Sequence, residues 1–412
     1  MNCLISKLNI FFSSRTETME TSLGYRISNL PRELQSEILS HIDEVSMAVL
    51  RYTMFGTNIK WDKFIDISII YSSGINFFVW VADCCDNNII NNYKAAKFGD
   101  PEIIKFLVDQ NKTNNICKGL ISGGHLEILK WARASGCSWG IDPCDHAAKS
   151  GHLAILQWVR SNGCCWSVWT CAAAAQGGHL DVLKWARENG CPWNIATCVY
   201  AAMYGRLDVL KWAHENGCSW NDSVCSYAAL EGHLDILVWA RTNGCPWDKK
   251  VCENAAKNGH LTILQWARAN DCDWDAITCV YATENGHLDI LKWARTNGCD
   301  WNKNVCECAA SRGHLDILQW ARFGTSVECP WDEQTCAAAA RNGHLDVLKW
   351  ARANGCPWNK NVCECAARKG HLEILQWARS MGCPWDESTY YEAEINERND
   401  VLKWLKANGC PQ

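Results

Sequence analysis

One tripeptide, Gly-His-Leu, limits what this chain can be. It begins at Gly124, Gly151, Gly178, Gly232, Gly259, Gly286, Gly313, Gly343 and Gly370, and Gly205-Arg206-Leu207 fills the one gap. Successive steps are 27 residues, except the step of 30 from Gly313 to Gly343. Gly99 before them and Glu397 after them complete twelve units, the first and last degenerate. Trp80 and Cys84 resemble part of one more unit upstream. A chain of 412 residues is too long for one ordinary core. A fixed period of this length marks a stack in which each unit buries its faces against its neighbours.

The unit from Asn194 to Trp220 is typical. It opens on Asn or Asp directly after a Trp, as do those at Asn221, Asp248, Asp275, Asn302, Asp332, Asn359 and Asp386. A short side-chain oxygen there accepts an orphan N–H, so these residues read as helix N-caps. About ten residues follow, with Cys-x-x-Ala-Ala near their centre, as at Cys171, Cys198 and Cys225. Paired alanines favour a helix and allow close packing; this is helix A. Gly-His turns the chain into helix B, for example Leu180-Asp181-Val182-Leu183-Lys184-Trp185-Ala186-Arg187. Its apolar residues share one broad helical face. Acids in its first turn and bases in its last suit the helix dipole. Asn-Gly ends it, and a proline such as Pro192 or Pro246 bars its extension. The expected fold is all-α, a solenoid of stacked helix–turn–helix repeats. At the C-terminal end Glu397-Arg398-Asn399 replaces Gly-His-Leu with polar residues, as a capping repeat requires.

The run Ala255-Ala256-Lys257-Asn258-Gly259-His260-Leu261 and its relatives resembles the core of the ankyrin repeat, over roughly Lys97 to Gln412. The usual ankyrin unit has about 33 residues, and its Thr-Pro-Leu-His opening is replaced here by Thr170-Cys171 or Val251-Cys252. The resemblance implies that the missing residues come from the β-hairpin finger, and that the two residues before Gly-His line a concave face. The Trp-Ala-Arg and Gly-Cys-Pro-Trp runs are similar to ankyrin-like proteins of giant DNA viruses of amoebae. Near the N-terminus, Leu30-Pro31-Arg32-Glu33-Leu34 with Ile38, Leu39 and Ile42 resembles the opening helix of an F-box. Pro31 fits N1 of a helix. The resemblance implies that Leu30, Pro31, Leu34, Ile38 and Leu39 contact a Skp-type adaptor subunit of a ubiquitin ligase. Leu30 to Trp61 is shorter than that family leads one to expect, and an amphipathic helix capping the first repeat is the plainer reading.

Composition narrows the function. The net charge of −5 argues against a general nucleic-acid partner. Residues Met1–Ser14 lack the small-residue cleavage site of a secretory signal, so free thiols and a cytoplasmic location, host cytoplasm if the source is viral, are expected. Ile69–Cys85 is too interrupted by polar residues for a membrane span. The chain has 27 Cys and 24 Trp, mostly in columns that repeat with the unit. Equivalent cysteines should stand on the order of 10 Å apart, one helix-pair spacing, too far for a disulfide or a zinc site. Packing as small hydrophobes is expected, with no metal and no cofactor. Nine of the twelve histidines belong to Gly-His, which points to a role in the turn. A Cys144–His146 dyad lacks an orienting third group, and no catalytic residue is assigned. The Trp columns read as core or inter-repeat packing.

Function should lie where the units differ. Two residues before each Gly-His vary, and Tyr204, Glu231, Lys257, Glu284, Arg312, Arg341, Arg368 and Lys369 are the candidate protein-binding residues. Arg312, Arg341, Arg368 and Lys369 are expected to form a basic stripe suited to an acidic protein surface. The expected organisation is a tail over 1–24, an F-box-like segment over 25–65, a linker or degenerate repeat over 66–98, and repeats over 99–412. The expected function is a monomeric protein-binding scaffold acting as a ligase substrate adaptor; a self-assembling structural protein is the alternative.

Overall fold

The computed structural model describes residues 92–412, which form 24 helices and no strand. They fall into two bodies, one ending at Cys165 and one spanning Trp166–Gln412. In each body the helices alternate as A and B. Helix A of the repeat beginning at Asn194 is Ile195–Met203, and its helix B is Leu207–Glu215. Within each body, A helices of successive repeats pack side by side, and each B helix packs on the A helix of its own repeat. The all-α solenoid read from the period is therefore what the chain forms. The first described helix A, Asn92–Phe98, lies upstream of Gly99.

The caps fall where the sequence places them. Asn194 accepts from the backbone N–H of Ala196 at 2.9 Å, Asn221 from Ser223 at 3.1 Å, and Asp332 from Gln334 at 3.0 Å. Asp248 and Asn359 do the same for Lys250 and Asn361, both at 3.0 Å. Each such cap is worth about 1 kcal/mol. Helix A ends at a glycine in the left-handed region, for example Gly232 at φ 87°. The next N–H, that of His233, closes a Schellman turn on the carbonyl of Ala228 at 2.9 Å. Asn189-Gly190 ends helix B in the same way, with Cys191 N–H on the Ala186 carbonyl at 2.9 Å. The short loop to the next N-cap takes the place of a hairpin finger.

The core lies between the two helical layers. In the Asn194 repeat it contains Cys198, Ala201, Ala202, Val209, Leu210 and Ala213, all fully buried. Alanine at two adjacent positions lets neighbouring A helices approach closely, so a larger side chain there would overpack the contact. Lysines one residue after the cap add bridges between repeats: Lys249 to Asp275 at 2.5 Å, Lys303 to Asp332 at 2.7 Å and Lys360 to Asp386 at 2.6 Å.

Candidate functional site

Residues that recur in every repeat are committed to holding the stack. The Gly-His histidines do more than stabilise their own turn. Nε2 of His260 lies 3.1 Å from the carbonyl of Leu230, and His233, His287 and His371 make the same contact with Met203, Lys257 and Arg341 at 3.2–3.3 Å. A carbonyl only accepts, so Nε2 carries the proton in each. The ring also covers the preceding repeat's glycine: a Cβ on Gly205 would stand 2.8 Å from Cε1 of His233. Where the last repeat has Arg398 instead, its Nε donates to the Arg368 carbonyl at 3.0 Å. This is an inter-repeat tie, repeated like a rivet.

Among the described residues, the two tryptophan columns form ladders of partly exposed rings packed between repeats, not fully buried core. Trp193 and Trp212 meet edge to face with centroids 5.9 Å apart, and pairs 19 residues apart recur through Trp385 and Trp404 at 5.8 Å. The other face of each loop Trp carries an arginine from the preceding helix B: Arg187 stands 4.2 Å from the Trp193 centroid and Arg379 4.0 Å from Trp385. These arginines also donate to a loop carbonyl, as Arg241 does to Cys245 at 2.8 Å. His214 replaces the arginine in one repeat and stacks on Trp220 at 3.7 Å.

The cysteines pair across 20 residues, not across the seven that separate neighbours in sequence. Cys171 reaches the carbonyl of Cys191 and Cys252 that of Cys272, at 4.0 and 3.9 Å. The loop thiols turn back to the cap residue: Cys218 to the Asn194 carbonyl and Cys245 to that of Asn221, both at 3.3 Å. None of the 24 described cysteines forms a disulfide. The Cys198 thiol is held protonated, first by its hydrogen bond to Cys218 and then by burial. Cys144 and His146 are two apart on the helix Pro143–Ser150, a spacing that turns side chains to different faces.

The variable residues sit at the C-terminal end of helix A. Tyr204, Glu231, Lys257, Arg312, Arg341 and Lys369 are exposed, whereas Glu284 and Arg368 are half-buried. The cations do not form an unpaired stripe. Arg312 forms an ion pair with Glu284 of the preceding repeat, and Arg368 grips Glu392 of the next through Nε and Nη2, Nε donating at 2.7 Å. The arginine lowers the Glu392 carboxyl below its ordinary value. The acids that neutralise these cations come from neighbouring repeats, which a residue-by-residue reading of the pairs overlooks. Lys257 stands over the Tyr281 ring at 5.6 Å. Arg341 and Lys369 remain as exposed cations of the group.

Aromatic residues on the same layer escaped the sequence reading. Trp169, Tyr200 and Tyr227 lie on A helices, off the two Trp columns. The signal was present: Trp169 stands two residues after its cap, where other repeats have Ala196, Ser223 or Lys250. Leu30, Pro31, Leu34, Ile38 and Leu39 lie outside the described residues.

These contacts define an all-α stack of helix–turn–helix repeats. A family model of ankyrin repeats in many copies matches residues 198–241 and 336–379. Each match runs from the cysteine of one helix A to the arginine ending the next repeat's helix B. No curated protein matches the chain. Among the described residues no helix is long and apolar enough to cross a membrane.

Proposed function

We propose that this chain is a protein-binding repeat scaffold, and that it serves as a substrate adaptor of a ubiquitin ligase. The observation that carries the scaffold reading is a division of labour along helix A. Its cap, cysteine, alanines, glycine and histidine repeat and are consumed by the stack, while the residues just before Gly-His vary, and Tyr204, Glu231, Lys257, Arg312, Arg341 and Lys369 among them are exposed. A partner-facing surface on loops and helix ends held by a rigid frame is how repeat stacks bind proteins. The adaptor reading adds the F-box-like segment Leu30 to Ile42 as the ligase-docking module, within a 25–65 segment ahead of the repeats.

Two measurements test it. A photo-crosslinking amino acid at Tyr204 or Arg341 of the full chain is expected to capture protein from cell extract, and one at Lys292 on helix B is not. Equal capture from all three positions would remove the assignment to the helix-A face. Purified full chain is expected to bind a Skp-type subunit at micromolar concentration. Leu34→Asp with Ile38→Asp should abolish that binding without lowering the melting temperature. No association of the unmutated chain would sink the adaptor role alone.

A further inference from the structure

The A helices of the repeats beginning at Ser167, Asn194 and Asn221 carry aromatic side chains that the fold does not require. Trp169 is 51% exposed and Tyr204 42%. The Tyr200 ring lies between them, its centroid 6.4 Å from that of Trp169 and 6.3 Å from that of Tyr204, the second pair nearly perpendicular at 79°. The repeats are internal controls. Tyr204's position is Gly177, Asn258 or Lys369 elsewhere, and the A helices of those repeats pack on their neighbours in the same arrangement. Exposed aromatic area adds nothing to the stability of the stack, yet Trp and Tyr are the residues that dominate binding energy at interfaces.

Charge on these helices is sparse and acidic, and the turn after Tyr204 adds one cation, Arg206, which lies over Gly178. Helices Val168–Gly177 and Ile195–Met203 contain no charged residue, and Asp222–Glu231 has acids only at its two ends. Glu231 is exposed, in Tyr204's column one repeat along, so about 10 Å from it. The comparable acids Glu284 and Glu392 are neutralised by Arg312 and Arg368, whereas no cation of the described residues bridges to Glu231.

We infer that this face takes an extended segment of a partner protein in which an arginine stacks on the Trp169–Tyr200–Tyr204 cluster and a second cation about three residues on reaches Glu231. The inference rests on the scaffold reading and gives it a site and a partner chemistry. A guanidinium is planar and weakly hydrated, so it stacks on aromatic faces better than an ammonium. The molecule itself uses this contact, with Arg187 on Trp193 and Arg241 on Trp247. In the polyproline II conformation an extended chain advances about 3.1 Å per residue with three residues per turn, so the side chain three residues on faces the same way and covers the distance to Glu231.

The probe is a random dodecapeptide library displayed on phage and selected on the full chain, followed by titration of the enriched peptides in labelled synthetic form. Enriched peptides are expected to carry Arg with Arg or Lys three positions later. Trp169→Ala and Tyr204→Ala should each weaken their binding roughly tenfold, as should citrulline in place of the first arginine. Glu231→Gln should reduce the salt dependence of binding. Both aromatics are exposed, and unchanged melting temperatures would confirm that the fold is not what was lost. Peptides without arginine, or arginine peptides indifferent to Trp169→Ala and Tyr204→Ala, would overturn the inference. If selected peptides instead respond to Arg341→Glu, this site falls and the scaffold reading stands. If no peptide is enriched while crosslinks from Tyr204 still form, the peptide chemistry is wrong; if neither is seen, both readings fall.

Discussion

Nε2 of His260 donates to the carbonyl of Leu230 at 3.1 Å, across a sequence separation of thirty residues. The bond satisfies a carbonyl near the end of one helix A with a side chain from the turn of the next repeat, so it couples helix ends that backbone hydrogen bonds leave apart. The same ring rests over Gly232, where an added Cβ would lie 2.8 Å from Cε1. One histidine thus supplies both a donor and a shape constraint at this interface.

Removing the donor should cost more than changing its shape. His260→Ala removes one of two donors to the Leu230 carbonyl, leaving the Asn258 amide at 2.7 Å, and is expected to destabilise by about 0.5–1.5 kcal/mol. His260→Arg should cost less, because Arg398 makes the corresponding bond to Arg368 with its Nε at 3.0 Å. Chemical denaturation of both variants checks the order. An arginine variant as unstable as the alanine variant would show that the ring's packing on Gly232 matters more than the bond.

The glycine half of the contact predicts a larger effect. Gly232 has φ 87°, and an alanine there meets both a disfavoured backbone and the His260 ring. About 1–2 kcal/mol of backbone strain adds to the displacement of that ring. Gly232→Ala is expected to cost about 2–3 kcal/mol, with hydrogen exchange rising first in helices Asp222–Glu231 and Lys250–Lys257. Gly244→Ala is the control: it shares a positive φ of 81°, but its Cβ would meet nothing within 4 Å. Equal losses at the two sites would assign the whole effect to backbone conformation.

Most of the fold is legible in the sequence because it is written about a dozen times. The cap at Asn194, the αL glycine, the apolar face of helix B and the absent finger all follow from one aligned unit. What the alignment does not carry is distance between columns. It leads one to place Trp212 in the core, whereas the ring is half-buried against Trp193 and beside Lys184. It sets Cys191 beside Cys198 in sequence, whereas the fold joins Cys171 to Cys191, because helix B returns the chain to the start of its own helix A. The basic stripe failed for the same reason: Glu392 sits in a different column from Arg368, and only the stack brings them together. Trp169 was readable as an outlier, but exposure had to be seen before it could be separated from packing.

The half-buried ladder changes what truncating a tryptophan costs. A fully buried Trp lost to Ala costs about 3–5 kcal/mol. Trp212 keeps one side toward solvent, so a smaller loss of about 2 kcal/mol is expected for Trp212→Ala, including about 0.5–1.5 for its edge-to-face contact with Trp193. In a stack with nearest-neighbour coupling the adjacent repeats should lose protection first. A double-mutant cycle with Trp193→Ala gives the pair term directly, and a coupling near zero would show that the two rings act separately.

Thiol reactivity should follow burial and hydrogen bonding. Cys165 is exposed, whereas Cys308 is half-buried and pushed up to about 11 by burial, with Glu284 contributing. Cys117 is pushed up to about 12 by burial, and Cys198 is raised by its bond to Cys218. Only the thiolate reacts. Brief alkylation of the native chain at neutral pH, mapped by mass spectrometry, is therefore expected to modify Cys165 before the other described cysteines. Rapid labelling of Cys198 or Cys252 would mean that the repeats open on the timescale of the reaction.

Acid should loosen the last repeat through Glu392. Arg368 holds the Glu392 carboxyl below its ordinary 4.5, and the unfolded chain has no such partner. A carboxyl depressed in the folded state contributes stability that is complete above about pH 4.5 and is lost as pH falls through the folded value. Arg368 is 43% exposed on its side chain, so screening keeps the contribution to about 0.5 kcal/mol or less. Hydrogen exchange in helix Glu387–Ile395 provides the local readout. Arg368→Gln should raise exchange there at pH 7, and the gap between variant and parent, after correction for intrinsic rates, should narrow as the pH falls below about 4.5. A gap that does not change with acid would mean that the aliphatic stem of Arg368 packs the interface and that the ion pair contributes little.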